Sequence, residues 1–337
     1  MTRLIFSTTF AILFLLSCTP QDVVNIYSSR HYDTDLQVYN LFTETTGIEV
    51  NLIEGSSDEL IERIRNEGVN SPADIIITVD AGRLWRAKEA GVLQPFESEY
   101  LNSVIPPEMI DPEKYWVGLS ERVRAIIYNP ETVAPDELQG YWELAGEQWE
   151  GRLCVRSSNN IYNQSLVASL IETHGEEATE EWAAGLVHNF ARSPQGGDTD
   201  QIRAVAAGLC DAALANHYYL ARLFNSTSEQ DRQVAATVGI YFPPEEFGGA
   251  HVNISGAGIA ANSPNRENAI RFLEFLATEE AQEIFTIKNN EFPVMRGLEL
   301  SEVLIDFGDY DSDTMNVAMY GENNPRAIRL MDRVGWR

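Results

Sequence analysis

Short apolar runs and amphipathic stretches alternate along the first ninety residues of the chain. The apolar runs are a few residues long and read as buried strands, while the amphipathic stretches repeat their apolar residues at helical spacing. A regular order of strand, helix, strand, helix and strand is typical of a parallel sheet in an α/β domain. The predicted strands are 23–28, 48–53 and 73–79, and the predicted helices are 35–45, 57–66 and 81–89.

The pattern loosens after residue 97, where the segment 97–115 is rich in proline and acidic residues. The later predicted strands are 123–128, 151–155 and 211–215, and the later predicted helices are 164–174, 180–190, 200–208 and 267–277. No repeat or flexible linker separates two halves of the chain. We therefore predict two α/β lobes between which the chain crosses more than once, with a hinged cleft that closes around a small ligand.

The N-terminus carries an export signal. Residues 4–16 form an apolar run that is too short to span a membrane comfortably, so residues 1–17 are interpreted as a secretory signal peptide. The run ends in Leu15-Leu16-Ser17-Cys18, which resembles the lipobox of bacterial lipoproteins. This pattern predicts a lipid anchor on Cys18, the alternative being an ordinary signal cut nearby. The remaining chain of about 320 residues is too long for one ordinary core.

Charge and cysteine content limit the partners and the compartment. The chain has 51 acidic and 24 basic residues and a formal net charge of −27, which argues against nucleic acid as a partner. Cys154 and Cys210 both lie in apolar, strand-like contexts. An even pair in an exported chain predicts a disulfide, whereas two small buried thiols are the alternative.

Tyrosines occur at or near three predicted strand-to-helix junctions: Tyr32, Tyr162 and the adjacent pair Tyr218 and Tyr219. Ligands of open parallel sheets bind beyond the carboxyl ends of the strands. Successive side chains of a strand point to opposite faces, so the adjacent pair can converge only if the strand ends before it. Helix N-termini also stabilise anionic oxygens.

Phenol oxygens from separate segments suit a small, highly charged metal ion that prefers oxygen ligands. Such an ion can deprotonate tyrosine, and three phenolates balance the charge of ferric iron. Neither the carboxylate spacing of many calcium sites nor the His/Cys clustering of zinc sites is present in the sequence. Arginines are expected to offset excess negative charge or to hold an anion, and the candidates are Arg30, Arg122, Arg124 and Arg222.

Other interpretations of the same residues stay open at this point. With 13 tyrosines in the chain, one adjacent pair is weak evidence for a site. A sugar or an organic anion stacked on aromatic rings is an equal rival, and a polyamine suits the acidic composition. A secreted enzyme is the alternative from another class, although the nucleophile-elbow, zinc-protease and phosphate-loop motifs are all missing from the sequence.

Four motifs carry a resemblance to a known family. They are VNIYSSRHY (24–32), SSNNIYNQS (157–165), PQGGDTDQ (194–201) and NHYYLAR (216–222). With them the chain resembles the periplasmic ferric-iron-binding proteins of ABC importers, especially the tyrosine-rich group related to cyanobacterial iron-uptake proteins. The resemblance extends over essentially the whole chain after the signal peptide.

The resemblance implies a set of site residues. Tyr32, Tyr162, Tyr218 and Tyr219 are expected to ligate Fe(III), and His31 is a ligand in some relatives but not in others. Two arginines that match positions near the iron, Arg122 and Arg222, are expected to support the ligands or to bind a synergistic anion such as carbonate. No glutamate ligand is carried over, because Tyr162 is typical of the tyrosine-rich branch.

The resemblance also implies a fold and a role. The expected fold is the two-lobed periplasmic-binding-protein type II fold, with residues 18–122 and 253–300 in the N-terminal lobe and residues 123–252 and 301–337 in the C-terminal lobe. The expected role is capture of Fe(III) in the cleft and delivery to an inner-membrane ABC permease. A non-enzymatic, monomeric protein of the periplasm is therefore predicted.

Overall fold

The structure is a computed structural model that describes residues 22–337. The predicted signal peptide and its lipid-anchor position, Cys18, lie outside the described residues. Within residues 22–337, the helices are all too short or too polar to traverse a lipid bilayer.

Strands and helices alternate over most of the described chain. The strands are β1 (Val23–Ser28), β2 (Glu49–Glu54), β3 (Ile75–Val79), β4 (Leu93–Gln94), β5 (Trp116–Tyr128), β6 (Leu153–Cys154), β7 (Ala212–Asn216), β8 (Gly239–Tyr241), β9 (Val252–Ala260) and β10 (Phe292–Pro293). The helices are α1 (Asp33–Thr46), α2 (Ser57–Glu67), α3 (Ala81–Glu89), α4 (Glu99–Val104), α5 (Ile161–His174), α6 (Glu176–His188), α7 (Asp198–Ala206), α8 (His217–Phe224), α9 (Glu229–Ala236), α10 (Arg266–Leu276), α11 (Glu279–Phe285), α12 (Glu302–Phe307) and α13 (Ala318–Arg333). The predicted α/β class is confirmed.

One mixed sheet, with strands in the order β2-β1-β3-β9-β5-β7-β6, forms the centre of the fold. Strands β1, β2 and β3 are parallel, as their alternation with helices predicted. Strand β9 lies antiparallel between β3 and β5 and was not predicted. Its sequence is rich in small residues, and a side chain at Gly256 would come within 2.7 Å of the Val117 carbonyl. The small residues let the backbones of β9 and its neighbours approach closely.

Strand β5 joins the two parts of the sheet. It is 13 residues long and begins at Trp116, earlier than the predicted start at residue 123. It pairs with β9 and β10 in one part and with β7 and β8 in the other. The side chains of Ser120, Arg122 and Arg124 alternate with those of their neighbours and therefore project from the same face. This face becomes the floor of the candidate site.

A disulfide and the last helix hold the second part of the sheet in place. Cys154 on β6 is bonded to Cys210, which precedes β7, so the predicted pairing is present in the structure. Helix α13 packs against α5 and α3. Just beyond it, the Trp336 indole nitrogen donates a hydrogen bond to the Arg156 carbonyl at 2.9 Å. Both features fix the segment that leads into α5.

Candidate functional site

All four candidate tyrosines lie at helix N-termini. Tyr32 is the N-cap residue of α1, and Tyr162 is the second residue of α5. Tyr218 and Tyr219 are the second and third residues of α8, so β7 has ended before the pair, as their convergence requires. The predicted strand-to-helix junctions are confirmed at all three places. The free N–H groups and dipoles of these helices favour negative charge on the phenol oxygens.

The polar segment before α5 folds into a turn that presents Tyr162. The Asn160 side chain caps the helix by accepting a hydrogen bond from the Asn163 backbone N–H at 3.3 Å. The Asn163 side-chain amide donates to the Arg156 carbonyl at 2.9 Å, and Gln164 donates to the Ser158 carbonyl at 2.8 Å. The amide side chains in this motif therefore satisfy the backbone of the turn, which leaves the Tyr162 phenol free to reach Arg122.

Arg122 gathers three of the phenol oxygens around its guanidinium group. Its Nη1 atom donates to Tyr32 Oη at 3.4 Å, and its Nη2 atom donates to Tyr162 Oη at 3.2 Å. The same Nη2 atom also donates to Tyr218 Oη, which accepts a second hydrogen bond from the Asn216 amide at 2.9 Å. Residues 32, 162 and 218 are distant in sequence, and the fold brings them to one point.

Tyr219 and Arg222 complete the cluster on the side of α8. The rings of Tyr218 and Tyr219 lie 4.6 Å apart between centroids. The Arg222 Cζ atom lies 4.6 Å from the ring centroid of Tyr32. It lies 5.0 Å from the ring centroid of Tyr218 and 5.6 Å from that of Tyr219. Its buried Nη2 atom has no hydrogen-bond partner among residues 22–337. A cationic donor therefore remains available beside the phenols.

The tyrosines differ in how readily they ionise. Burial raises the pKa of Tyr218 well above its ordinary value, although Arg122 opposes the shift. Burial also raises the pKa of Tyr219, and nearby Tyr162 adds to that effect. For Tyr32, burial alone would raise the pKa, but the positive charge of Arg122, with that of two other arginines, lowers it. Tyr218 and Tyr219 are therefore protonated at neutral pH.

Arg124 has a different role from the one that the sequence suggested. It was a candidate for offsetting negative charge or holding an anion, but its two Nη groups are used by protein groups. Its Nη1 atom donates to Asp198 at 2.8 Å and to Asn216 at 2.9 Å, and its Nη2 atom donates to Asn163 at 2.7 Å. Arg124 thus ties together the start of α7, the end of β7 and the first turn of α5.

Asp198 was not recognised as a structural residue of the site, although it lies in the glycine-rich motif. Its carboxylate is buried and also accepts a hydrogen bond from Arg156 at 2.9 Å. The Arg156 Cζ atom lies 5.7 Å from the ring centroid of Tyr162. Arg124, Arg156 and Asp198 therefore support the elements that carry Tyr162, Tyr218 and Tyr219. The only signal of this in the sequence was the position of Asp198 in the glycine-rich motif.

Glu291 is the other buried acid that the sequence did not reveal. It forms ion pairs with Arg30 and Arg122, and its Oε2 atom lies 2.8 Å from Arg30 Nη1. Burial by itself would raise its pKa, but the two guanidinium groups lower it to about 2. Arg30 also pairs with Asp35 at 3.0 Å, so it too is used by the protein rather than left for an anion.

The two histidines near the tyrosines face elsewhere. The His31 side chain is 55% exposed, and its Nδ1 atom lies 3.2 Å from Glu54 Oε1. His217 is buried with its ring 4.6 Å from that of Phe292, and burial lowers its pKa to about 4. A ligand role for His31 therefore stays a prediction. His217 packs on the hydrophobic side of α8.

Conventional clusters of metal ligands do not compete with the tyrosines in the part of the chain that the structure describes. Across residues 22–337, no group of three or more His, Cys, Asp or Glu side chains is arranged so that it could hold a metal ion. The phenol oxygens are hard donors drawn from three segments, and such donors suit a trivalent cation.

Comparison with known proteins adds two kinds of similarity. Residues 30–283 match the family described as bacterial extracellular solute-binding protein. The chain is 49% identical over 317 residues to iron uptake protein A1 of Synechocystis, which covers 94% of this chain and 88% of that protein.

Solved structures have the same fold. A Trichodesmium protein (IdiA, FutA), described in complex with iron and citrate ligands, is 56% identical with a TM-score of 0.92. The alignment covers 94% of this chain and 100% of that one. The ferric binding protein of Campylobacter jejuni is 40% identical with a TM-score of 0.87, over 93% of this chain and 100% of that one.

Proposed function

The chain belongs to the family of bacterial extracellular solute-binding proteins, and we propose that it captures Fe(III) in its cleft for delivery to an ABC permease. The relatives named above are iron uptake and ferric binding proteins, and their overall fold matches the predicted periplasmic-binding-protein type. These similarities support the proposal. The site itself has to be argued from this chain's own residues.

The convergence of Tyr32, Tyr162, Tyr218 and Tyr219 is the observation that carries the proposal. Three of their phenol oxygens already share one guanidinium group as a hydrogen-bond donor. A guanidinium group that donates to three phenol oxygens stabilises negative charge on them, which suits oxygens that ligate a metal cation. We assign the four tyrosines as the iron ligands.

The charges around the tyrosines fit a ferric ion. Four phenolates and one Fe(III) carry a net charge of −1, and Arg122 and Arg222 lie where they offset it. Bound metal charge deprotonates the tyrosines that burial keeps neutral. Release is favoured by acid, because protons compete for the phenolates, and by reduction, because Fe(II) balances fewer of them.

Arg222 is the residue best placed for a synergistic anion. Its unpartnered Nη2 donor and its position over three tyrosine rings support the binding of a small oxyanion such as carbonate beside the iron. His31 enters the ligand set only if its side chain leaves Glu54. We therefore propose four tyrosines as the protein ligands, with the anion as an additional ligand.

The remaining parts of the proposal concern location and assembly. We propose a monomer of the periplasm, anchored by a lipid on Cys18, with lobes formed by residues 18–122 and 253–300 and by residues 123–252 and 301–337. Strand β5 pairs with β9 up to Val123 and with β7 from Arg124 onward. This change of partners supports a lobe boundary between residues 122 and 123. The relatives are named as uptake and binding proteins, so we assign no catalytic step.

A visible spectrum with metal analysis tests the function. Purified protein loaded with ferric citrate is expected to be coloured by charge transfer from phenolate to iron and to hold one iron per chain. Iron-loaded protein without a visible absorption band would contradict the proposal. Calorimetry tests the two alternative functions. A receptor for organic anions would bind citrate without iron, and a receptor for polyamines would bind spermidine without iron.

A further inference from the structure

Glu291 is fully buried, and its carboxylate accepts hydrogen bonds from four side chains. Its Oε2 atom accepts hydrogen bonds from Arg30 Nη1 at 2.8 Å, from Ser120 Oγ at 2.5 Å and from Ser255 Oγ at 3.3 Å. Its Oε1 atom accepts a hydrogen bond from Arg122 Nη1. A buried carboxylate between two buried guanidinium groups is costly to desolvate, so its partners must compensate closely for that cost.

The contact with Arg122 sets the direction of that guanidinium group. Glu291 and Ser255 both bind Nη1, the latter with an O–N distance of 3.2 Å. A guanidinium group is planar, so fixing Nη1 also fixes where Nη2 points. Nη2 then reaches the oxygens of Tyr162 and Tyr218.

The side chains of the two residues before Glu291 are hydrogen-bonded to two of the three tyrosine-bearing helices, α1 and α8. Asn289 donates to Asp35 on α1 at 3.1 Å. Asn290, whose φ of 62° lies in the left-handed region that asparagine tolerates, accepts from Asn225 at the end of α8 at 2.8 Å. Three consecutive residues thus connect the helix of Tyr32, the helix of Tyr218 and Tyr219, and the strand of Arg122.

We propose that Glu291 is a positioning residue for the tyrosine site, which aims Arg122 at the phenol oxygens and links the two sides of the cleft. The proposal rests on the proposed ferric function. Without the carboxylate, Arg30 and Arg122 are two neighbouring buried cations with no shared counter-charge. Repulsion then turns Arg122 away, and the tyrosines lose the donor that aligns them.

The test compares Glu291→Gln with Glu121→Gln. Glu121 is the chain neighbour of Arg122 and is equally buried, but it pairs with Arg296 and Tyr310 instead of the cluster. Ferric affinity is measured by competition with citrate, together with the wavelength of the phenolate-to-iron band. We expect Glu291→Gln to lose about 10- to 100-fold in affinity and to shift the band, because hydrogen bonds to charged groups are strong. Glu121→Gln should change neither quantity.

Equal affinity and an unshifted band in Glu291→Gln would overturn the inference, as would an equal loss in Glu121→Gln. Wild-type protein that shows neither band nor ferric binding would contradict the proposed function instead, so the two failures are distinguishable. If Glu291→Gln does not fold, Ser120→Ala decides the question. That variant removes one hydrogen bond to Glu291 and should lose severalfold in affinity, and an unchanged value would contradict the inference.

Discussion

The Nη1 atom of Arg124 lies 2.8 Å from Oδ1 of Asp198, and both side chains are buried. The pair connects β5 to the first turn of α7, and the arginine continues to Asn163 and Asn216. This charged pair therefore helps to position the tyrosines of α5 and α8, and it reaches a phenol oxygen through Asn216, whose amide donates to Tyr218 Oη.

Asp198→Asn is expected to lower the free energy of unfolding by about 3–5 kcal/mol, because it leaves Arg124 buried without its counter-charge. Urea unfolding followed by circular dichroism measures this change. Glu62→Gln is the control, since its ion pair with Arg65 is exposed and its loss should change stability by less than about 0.5 kcal/mol. Equal midpoints for the two variants would show that the buried pair is not structural.

Tyr219→Phe is expected to weaken ferric binding by more than about 100-fold, since loss of a ligand should exceed the 10- to 100-fold typical of supporting residues. Tyr241→Phe is the matched control, because Tyr241 lies on β8, outside the cluster. Affinity and absorbance are measured in parallel. Wild-type affinity in Tyr219→Phe would remove that residue from the site. His31→Ala tests the remaining candidate, and an unchanged band would exclude its ring from the iron.

Ferric binding is expected to release at least two protons per iron. Burial raises the pKa of Tyr218 and Tyr219, so both carry protons at neutral pH and lose them to the metal. The affinity therefore rises with pH, by about tenfold per displaced proton for each pH unit. Calorimetry in buffers of different ionisation enthalpy counts the protons, and Tyr219→Phe should release one fewer than wild type. A count below two would contradict the assignment.

Acid is expected to destabilise the protein partly through Glu291. Its pKa is lowered from an ordinary value of 4.5 to about 2, so its contribution is fully present above pH 4.5 and is lost as the pH falls toward 2. A shift of this size corresponds to about 3 kcal/mol. Chemical denaturation between pH 5 and 2.5 should therefore show a shallower decline in Glu291→Gln than in wild type. Parallel declines would indicate that other carboxylates dominate.

Loss of the disulfide is expected to lower stability by about 4 kcal/mol, since it closes a loop over a sequence separation of 56 residues. The double variant Cys154→Ala with Cys210→Ala should unfold at lower denaturant than wild type. A reducing agent should shift wild type toward the variant and leave the variant unchanged. A wild-type midpoint that does not respond to full reduction would show that the bond adds nothing to stability.

Local patterns made much of the architecture predictable. The alternation of apolar runs and helical spacing in residues 23–89 predicted the parallel part of the sheet, because strand and helix periods are read from neighbouring residues. The tyrosine junctions were predictable for the same reason, since Tyr32, Tyr162 and Tyr218 each follow a run that ends as a strand. The Cys154–Cys210 pairing was predicted because both cysteines lie in strand-like contexts and the third cysteine, Cys18, was assigned to the predicted lipid anchor.

Strand β9 and the burial of Glu291, which the sequence did not reveal, lack such local signals. Strand β9 is built from small residues that pack backbone against backbone, and apolar periodicity does not detect that arrangement. Helix α8 was expected only as the helix after the junction at Tyr218 and Tyr219, and its bounds were not predicted. Residue 291 reads as an ordinary acid in a polar segment, and nothing near it indicates burial.

The sequence by itself determined which helix N-termini carry phenol oxygens and which broad fold presents them. The tertiary structure alone decided that Glu291 meets Arg30 across 261 residues and that Arg122 points at the tyrosines rather than at solvent. The physical reason is the range of the interactions. Periodicity and capping act over a few residues, whereas the burial of a charge is favourable only where distant chain segments supply its partners.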